Sequence, residues 1–317
     1  MRILYVTNMF PDKKSPYYGI FVKEQIEAIK KYYSIDYDIY YIDGRQHKWN
    51  YIKSIFEIHN ILSEKQYDLI HVHYCLAGLF LLINIKRKIP VVVTLHGGDI
   101  LKTQKKYIQI FFSKKILKKA DFAITMNNKM DAEVRKYIEK TEIIPCSINT
   151  DFFTPPINRK INNPPIVVFP SKKNRVEKNF SLFKNVVNLY ELKYSTELQI
   201  IELDKMSRQQ VVELFQMADV MLMTSYSEGS PQVVKEAMAC NLPVVSTNVG
   251  DVRYLLENVK RSYVVDTFKV DPLSEALLLS LYTDSSGIDG RDKLIKLGLN
   301  DEAIAKRIYN IYRLLLK

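Results

Sequence analysis

The sequence holds only three cysteines in 317 residues, Cys75, Cys146 and Cys240, far apart and odd in number. Neither a disulfide framework nor a C-x-x-C metal spacing can be built from them, so a reduced, cytoplasmic chain is expected. Also missing is any run approaching the roughly 20 apolar residues that cross a bilayer. The longest candidate, YCLAGLFLLI (residues 74–83), is far shorter and is expected to form a buried helix. The opening MRILYVTNMFP reaches Pro11 too soon to read as a secretory leader. No G-x-G-x-x-G follows the first apolar run, which removes the main signal for a dinucleotide oxidoreductase. P-loop, H-E-x-x-H and G-x-S-x-G motifs are absent as well.

What is present is a globular composition, 47% hydrophobic and 26% charged, in a chain long enough for two domains. Lysine and arginine outnumber the acids 46 to 35, a net charge of +11. The density is highest at residues 102–119, where seven lysines and no acid interleave with YIQIFF. At 100° per residue these lysines spread around a helix and form no single face. Two readings stand at this point: a solvated basic helix, or attraction to an anionic membrane surface.

Apolar runs alternate with helix-like segments through most of the chain. RILYVT (2–7), YDIYYI (37–42), DLIHVH (68–73), PVVVTL (90–95), DFAITM (121–126) and EIIP (142–145) read as strands. Longer amphipathic stretches such as GIFVKEQIEAIKKYY separate them, the pattern of βαβ units on a parallel sheet. Residues 146–165 carry four prolines and no periodicity, as a linker would. A second alternation follows, with strands IVVFP, ELQIIEL, DVMLMT, LPVVST and RSYVV, and residues 271–317 read as helices only. The expected fold is α/β, with two doubly wound Rossmann-like domains and a cleft between them. Residues 1–150 form the first domain and 151–300 the second, with 301–317 a terminal helix packing back toward the first. In such sheets ligands sit beyond the carboxyl ends of the strands.

One such strand end is SYSEGSPQVVKEAMACNLPVVST (225–247), with Glu228 on a turn and Glu236 inside the helix that follows. Ser230 is expected to cap that helix and Pro231 to occupy its first turn. Free amides at Gly229 and Ser230 then face a phosphate, and Glu236 lies roughly 8 Å further along the axis. Val233, Ala237 and Met238 are assigned to the buried side, with Gln232, Lys235 and Glu236 on another. The spacing suits a long ligand, with a sugar at Glu228, a diphosphate at the amides and a ribose diol at Glu236. Spacing alone equally allows a surface Glu on an amphipathic helix and a turn Glu.

The whole string resembles the E-x₇-E signature of the retaining glycosyltransferases of family 4, which have the GT-B fold. FPSKKNRVEKN (169–179) is similar to the family segment that ends in E-K-G or E-K-N. That resemblance implies that Lys178, with Arg175 or Lys172, neutralises the donor diphosphate without a metal. TLHGGD (94–99) resembles the strand end that carries a His toward the sugar, here His96. PYYGIFVKEQ resembles the first glycine loop, where Gly19 lets the backbone approach the diphosphate. His71 and His73 read as strand residues. Gly229-Ser230-Pro231 replaces the usual G-F-G and removes one N–H donor.

The resemblance implies a retaining, metal-independent hexosyl- or N-acetylhexosaminyltransferase. It uses a UDP- or GDP-type sugar donor and no further cofactor. The acceptor is a saccharide or polyprenyl-linked precursor of a cell-envelope polysaccharide, presented to a cytoplasmic enzyme peripheral on an anionic inner membrane face. His96, Glu228 and Lys178 are the catalytic candidates. Gly19, Lys172, Arg175, Lys178, Gly229, Ser230 and Glu236 are the donor-binding ones. Rival readings are a soluble small-molecule acceptor, a manganese site at Asp36-Tyr37-Asp38, and a non-catalytic basic protein that binds membrane or nucleic acid. The last lacks any recognised nucleic-acid module, and no nucleic-acid partner is expected.

Overall fold

The computed structural model describes residues 1–317 except 14, 16–17, 84–88, 102–106, 159–161 and 283–286. The chain divides into two compact units, Met1–Ser147 with Asp301–Lys317, and Ile148–Asn300. In the first, six parallel strands run in the order β2-β1-β3-β4-β5-β6. They are β1 (Arg2–Thr7), β2 (Asp36–Tyr41), β3 (Leu69–His73), β4 (Val91–Thr94), β5 (Phe122–Thr125) and β6 (Thr141–Ile143). Helices α1 (Ile20–Tyr32), α2 (Asn50–Glu64), α3 (Tyr107–Leu117) and α4 (Asn128–Val134) connect them. Strands β3, β4 and β5 are buried along their whole length, as apolar runs are when helices cover both faces of a parallel sheet.

In the second unit the order is β11-β10-β9-β7-β8. These are β7 (Ile166–Phe169), β8 (Gln199–Glu202), β9 (Val220–Met223), β10 (Val244–Thr247) and β11 (Tyr263–Val265). The helices are α5 (Phe180–Tyr194), α6 (Arg208–Met217), α7 (Gln232–Ala239), α8 (Val252–Leu256), α9 (Val270–Tyr282) and α10 (Gly290–Lys296). The last helix, α11 (Asp301–Leu315), belongs to the first unit. There Tyr309 stacks on Tyr33 with ring centroids 4.0 Å apart, and Tyr312 is fully buried.

Two expectations change and one rival reading gains no support. The run at 74–83 forms a 3-10 helix, Cys75–Leu82, interrupted by non-helical backbone at Gly78. An all-apolar run has no periodicity from which the helix type can be read. The proline-rich stretch is no free linker from residue 148 onward. Ile148 and Phe153 are buried, and the Arg291 guanidinium donates to the Thr150 carbonyl and to the Phe153 carbonyl, each at 2.7 Å. Nor does Asp36-Tyr37-Asp38 gather metal ligands. Asp38 accepts from the Tyr67 hydroxyl (2.7 Å) and from Arg2 (2.8 Å), with Lys65 at 3.5 Å. The Tyr67 bond, with Arg2 and Lys65, holds the Asp38 carboxyl below the usual range.

Candidate active site

In each sheet the strand order reverses beside the unit's first strand, between β1 and β3 and between β7 and β9. Crevices beyond the carboxyl ends at such switch points are where doubly wound sheets bind ligands. In the second unit the two loops concerned are tied together by name. After β9, the Thr224 hydroxyl donates to the carbonyls of Lys178 (3.1 Å) and Asn179 (3.0 Å). The Tyr226 amide donates to the Glu177 carbonyl at 2.9 Å. Loop docking therefore brings together side chains 50 positions apart, and Lys178 Nζ donates to Glu228 Oε1 at 2.5 Å. Lys178 ends the short 3-10 helix Val176–Lys178 and is 9% exposed. A lysine that dry needs a carboxylate partner, and Glu228 supplies it.

Behind this pair Gly250 has φ +60°, and a Cβ there would lie 2.4 Å from the Gly229 carbonyl oxygen. The Glu228–Gly229 turn rests directly on that glycine, which no larger residue could replace without moving it. Glu236, buried on α7, accepts from Arg208 Nη1 in an ion pair. Arg208 opens α6 directly after its N-cap Ser207, within the Ser207–Gln210 capping box, and its guanidinium lies 4.6 Å from the Phe153 ring centroid.

Several sequence expectations fail locally. The N-cap residue of α7 is Pro231, with extended backbone and no side-chain cap, so Ser230 lies one position outside. Lys235 and Glu236 do not take an open face: both are buried, while Val233 is only partly covered. Glu236 is instead paired with Arg208 of α6, and α10 packs on α7 near Met238. Lys172 and Arg175 do not join Lys178. Lys172 pairs with Asp204 at 3.1 Å and Arg175 donates to Glu177 at 2.8 Å, both half-exposed.

In the first unit Gly19 caps α1 at φ +71°, and a Cβ there would sit 2.4 Å from the Met9 carbonyl carbon. The chain's own loop after β1 thus requires the glycine. His96 follows β4 and is partly exposed, its ring stacked on Tyr74 (4.5 Å) and packed against Phe21 (4.9 Å). Its Nε2 lies 3.3 Å from His73 Nδ1, and His73 stacks in turn on His71 at 4.4 Å. His71 is held by the Tyr312 hydroxyl (2.6 Å) and the Thr94 hydroxyl (2.7 Å). Burial lowers His73 to about 3 and, with the neighbouring imidazoles, keeps His71 and His96 well below the usual range. All three rings are therefore neutral at physiological pH. Residues i and i+2 of a strand share a face, so the H-x-H at 71–73 already implied two imidazoles in contact. The sequence reading kept them as strand residues and missed their link to His96.

Asp99, also missed, organises the turn below His96. It accepts from the Gly97 amide (3.0 Å), the His96 amide (3.2 Å) and the Cys75 amide (3.3 Å). The motif TLHGGD carried the signal, an acid three residues beyond a strand-end His. Burial pushes Asp99 up to about 6 against the pull of those amides. The folded chain therefore holds a proton on Asp99 between about pH 4 and 6 that the unfolded chain has lost. Its contribution to stability is greatest below pH 4 and falls, by on the order of 3 kcal/mol, as pH rises to 6. Denaturant unfolding of wild type and Asp99→Asn across that range checks this. The wild-type curve is expected to fall relative to the variant, and a constant difference rejects it.

Among the described residues no three His, Cys, Asp or Glu side chains are placed to share a metal ion. No helix among them is long and apolar enough to cross a membrane.

Comparison with known proteins identifies the family and the fold. The model of Glycosyltransferase Family 4 matches residues 12–152, and that of Glycosyl transferases group 1 matches 184–298. Gly19, His96, Glu228, Gly229, Ser230 and Glu236 fall inside the matched ranges; Lys172, Arg175 and Lys178 fall between them. The sequence is 26% identical over 214 residues to TuaC of Bacillus subtilis, a provisionally assigned teichuronic acid biosynthesis glycosyltransferase. That match covers 59% of this chain, which spans only 55% of the relative's length. It is 21% identical over 269 residues to an Escherichia coli UDP-Gal:alpha-D-GlcNAc-diphosphoundecaprenol alpha-1,3-galactosyltransferase, covering 72% of this chain and 70% of that protein. Among solved structures, sucrose-phosphate synthase from Thermosynechococcus elongatus superposes with TM-score 0.79 at 18% identity, over 99% of this chain and 98% of its own. At that identity the likeness concerns the fold, and it agrees with the two doubly wound sheets. The chain belongs to the glycosyltransferases of family 4, with the GT-B architecture.

Proposed function

We propose that this protein is a retaining, metal-independent hexosyl- or N-acetylhexosaminyltransferase acting on a saccharide or polyprenyl-linked acceptor of cell-envelope polysaccharide. The donor is a UDP- or GDP-type sugar nucleotide, and no further cofactor takes part. The observation that carries this reading is the Lys178–Glu228 pair at the switch point of the second sheet. A departing nucleoside diphosphate gains negative charge, and a fixed, nearly dry ammonium stabilises it without reorganisation. Glu228 holds that ammonium and has its second oxygen for a sugar hydroxyl. The turn at Gly229 and Ser230 places backbone at the start of α7 for phosphate contacts, and Glu236 accepts a ribose diol. His96, neutral, hydrogen-bonds the transferred sugar, while Gly19 shapes the loop after β1. Lys172 and Arg175, exposed, serve as outer cations for the diphosphate once they leave their acidic partners.

The cell-envelope acceptor is supported by the two relatives above, one of teichuronic acid biosynthesis and one acting on a diphosphoundecaprenol-linked sugar. A phosphorylated small-molecule acceptor is the competing reading. It is favoured by 23% identity over 284 residues to the D-inositol 3-phosphate glycosyltransferase of Xylanimonas cellulosilytica.

Thermal stabilisation by a panel of UDP- and GDP-sugars tests the donor, and turnover with the stabilising donor in excess EDTA tests metal independence. Stabilisation by at least one sugar nucleotide and undiminished activity in EDTA are expected. Loss of activity on chelation, restored by manganese, overturns the assignment of Lys178 as the charge-neutralising group. Transfer to inositol phosphate and not to a diphospho-polyprenyl saccharide moves the acceptor to the second reading.

A further inference from the structure

Three imidazoles stand in line across two neighbouring strands, and only the last of them, His96, is partly exposed. His71 and His73 lie on β3, with His73 in register with Thr94 of β4. His71 is held at both nitrogens, Nδ1 by the Tyr312 hydroxyl of α11 and Nε2 by the Thr94 hydroxyl. His73 stacks on it with the two planes 26° apart, which fixes the plane of the His73 ring. The His73 and His96 planes differ by 24°, and their centroids are 5.6 Å apart while His73 Nδ1 and His96 Nε2 are 3.3 Å apart. The difference between those two lengths is the sum of two imidazole radii, which requires both nitrogens to lie on the line between the ring centres. The rings therefore meet edge to edge, with an N–H of one aimed at the lone pair of the other.

Both rings are neutral at physiological pH, so each carries one N–H and the contact has two forms. Either His73 Nδ1–H donates to His96 Nε2, or His96 Nε2–H donates to His73 Nδ1. The far side of His73 decides between them. His73 is fully buried, and its Nε2 has no hydrogen-bond partner among the described residues. The second form puts the proton on that atom and leaves an N–H buried and unpaired; the first leaves a bare nitrogen there. Unpaired buried donors are rarer in proteins than under-satisfied acceptors, which favours the first form. We propose that His73 is a positioning residue that holds His96 in the Nδ1–H tautomer. Histidine in water prefers the opposite tautomer, so the neighbour and not the ring itself sets the choice. His96 Nδ1 makes no hydrogen bond to the described residues, and it then offers a donor to an incoming ligand. Such a donor meets the oxygen of a sugar hydroxyl, an N-acetyl carbonyl or a carboxylate, whereas a lone pair would meet only an O–H or N–H. The tautomer follows from the first unit alone; its use on a transferred sugar rests on the donor-site reading above.

Nitrogen-15 shifts of the imidazoles read the tautomer directly, because an unprotonated ring nitrogen resonates far downfield of a protonated one. The chain has five histidines, which single substitutions assign in protein labelled at histidine. In the unliganded wild-type protein, His73 and His96 are both expected to show a protonated Nδ1 and a bare Nε2. His73→Leu is expected to return His96 to the Nε2–H form. His73→Asn, whose amide N–H stands in for Nδ1–H, is expected to keep the wild-type pattern. With the sugar nucleotide that stabilises the protein, kcat/KM is expected to fall roughly ten-fold in His73→Leu, the worth of one hydrogen bond, and to recover in His73→Asn. A protonated Nε2 on wild-type His96 overturns the proposal whether or not any variant folds. An unchanged His96 tautomer in a folded His73→Leu protein overturns it as well, and a shifted tautomer with undiminished kcat/KM overturns its use in transfer. If no sugar nucleotide binds while wild-type His96 carries its proton on Nδ1, the donor-site reading fails and the role of His73 stands.

Discussion

Lys178→Ala is expected to lower turnover by about 10²–10³-fold, equivalent to about 2.7–4 kcal/mol of transition-state stabilisation. The ammonium is nearly buried and fixed by Glu228 at 2.5 Å, so its charge is in place before the diphosphate departs. Removing it also strands a largely buried carboxylate, which should cost stability. Two readouts separate these consequences, kcat under saturating donor and the unfolding midpoint. Lys178→Met with Glu228→Gln removes the stranded charge and is expected to recover stability while turnover stays low. A Lys178→Ala enzyme with kcat within about three-fold of wild type and an intact fold would remove the lysine from the mechanism.

Glu236→Ala carries the second large effect, on stability and on donor binding together. Its carboxylate is buried against the Arg208 guanidinium, and breaking a buried ion pair from one side costs roughly 3–5 kcal/mol. Loss of a charged hydrogen bond to the ribose is expected to weaken the donor a further ten- to hundred-fold, about 1.5–3 kcal/mol. A second variant separates the two roles, because Arg208→Met with Glu236→Met restores an uncharged, packed contact. That double variant is expected to unfold near wild type in denaturant yet bind the donor as weakly as Glu236→Ala in calorimetry. Recovery of donor affinity along with stability would make Glu236 a purely structural partner of Arg208.

The strand framework was legible because apolar runs of four to six residues, separated by helix-length amphipathic segments, have few other uses. IVVF, VMLM and VVST lie where the sequence placed them, and all three are buried. Helix surroundings were less legible. Helical spacing set Lys235 and Glu236 apart from the buried side of α7, yet both are buried, Glu236 against Arg208 of α6, and a contact between helices remote in sequence leaves no local pattern. The cap moved from Ser230 to Pro231 for a similar reason. The preceding turn rests on Gly250, twenty positions later, a close approach that local capping preference does not register.

Sequence alone determined the classes of chemistry available to this protein. Two parallel sheets followed from hydrophobic periodicity and the two acids were noticed at a strand end, whereas the lysine and histidine were singled out by the family resemblance. The sequence holds no Cys-x-x-Cys spacing and no apolar run of bilayer length. Which of those residues touch was decided only by tertiary structure. Adjacency of β7 and β9 joined Lys178 to Glu228 and left Lys172 and Arg175 to their own acids. Burial converted H-x-H in β3 into a neutral imidazole column ending at His96. The physical reason is that spacing along a chain fixes which face a side chain takes, whereas pairing depends on which strands become neighbours. Neighbour choice is settled by the summed packing of whole elements and is written in no single segment.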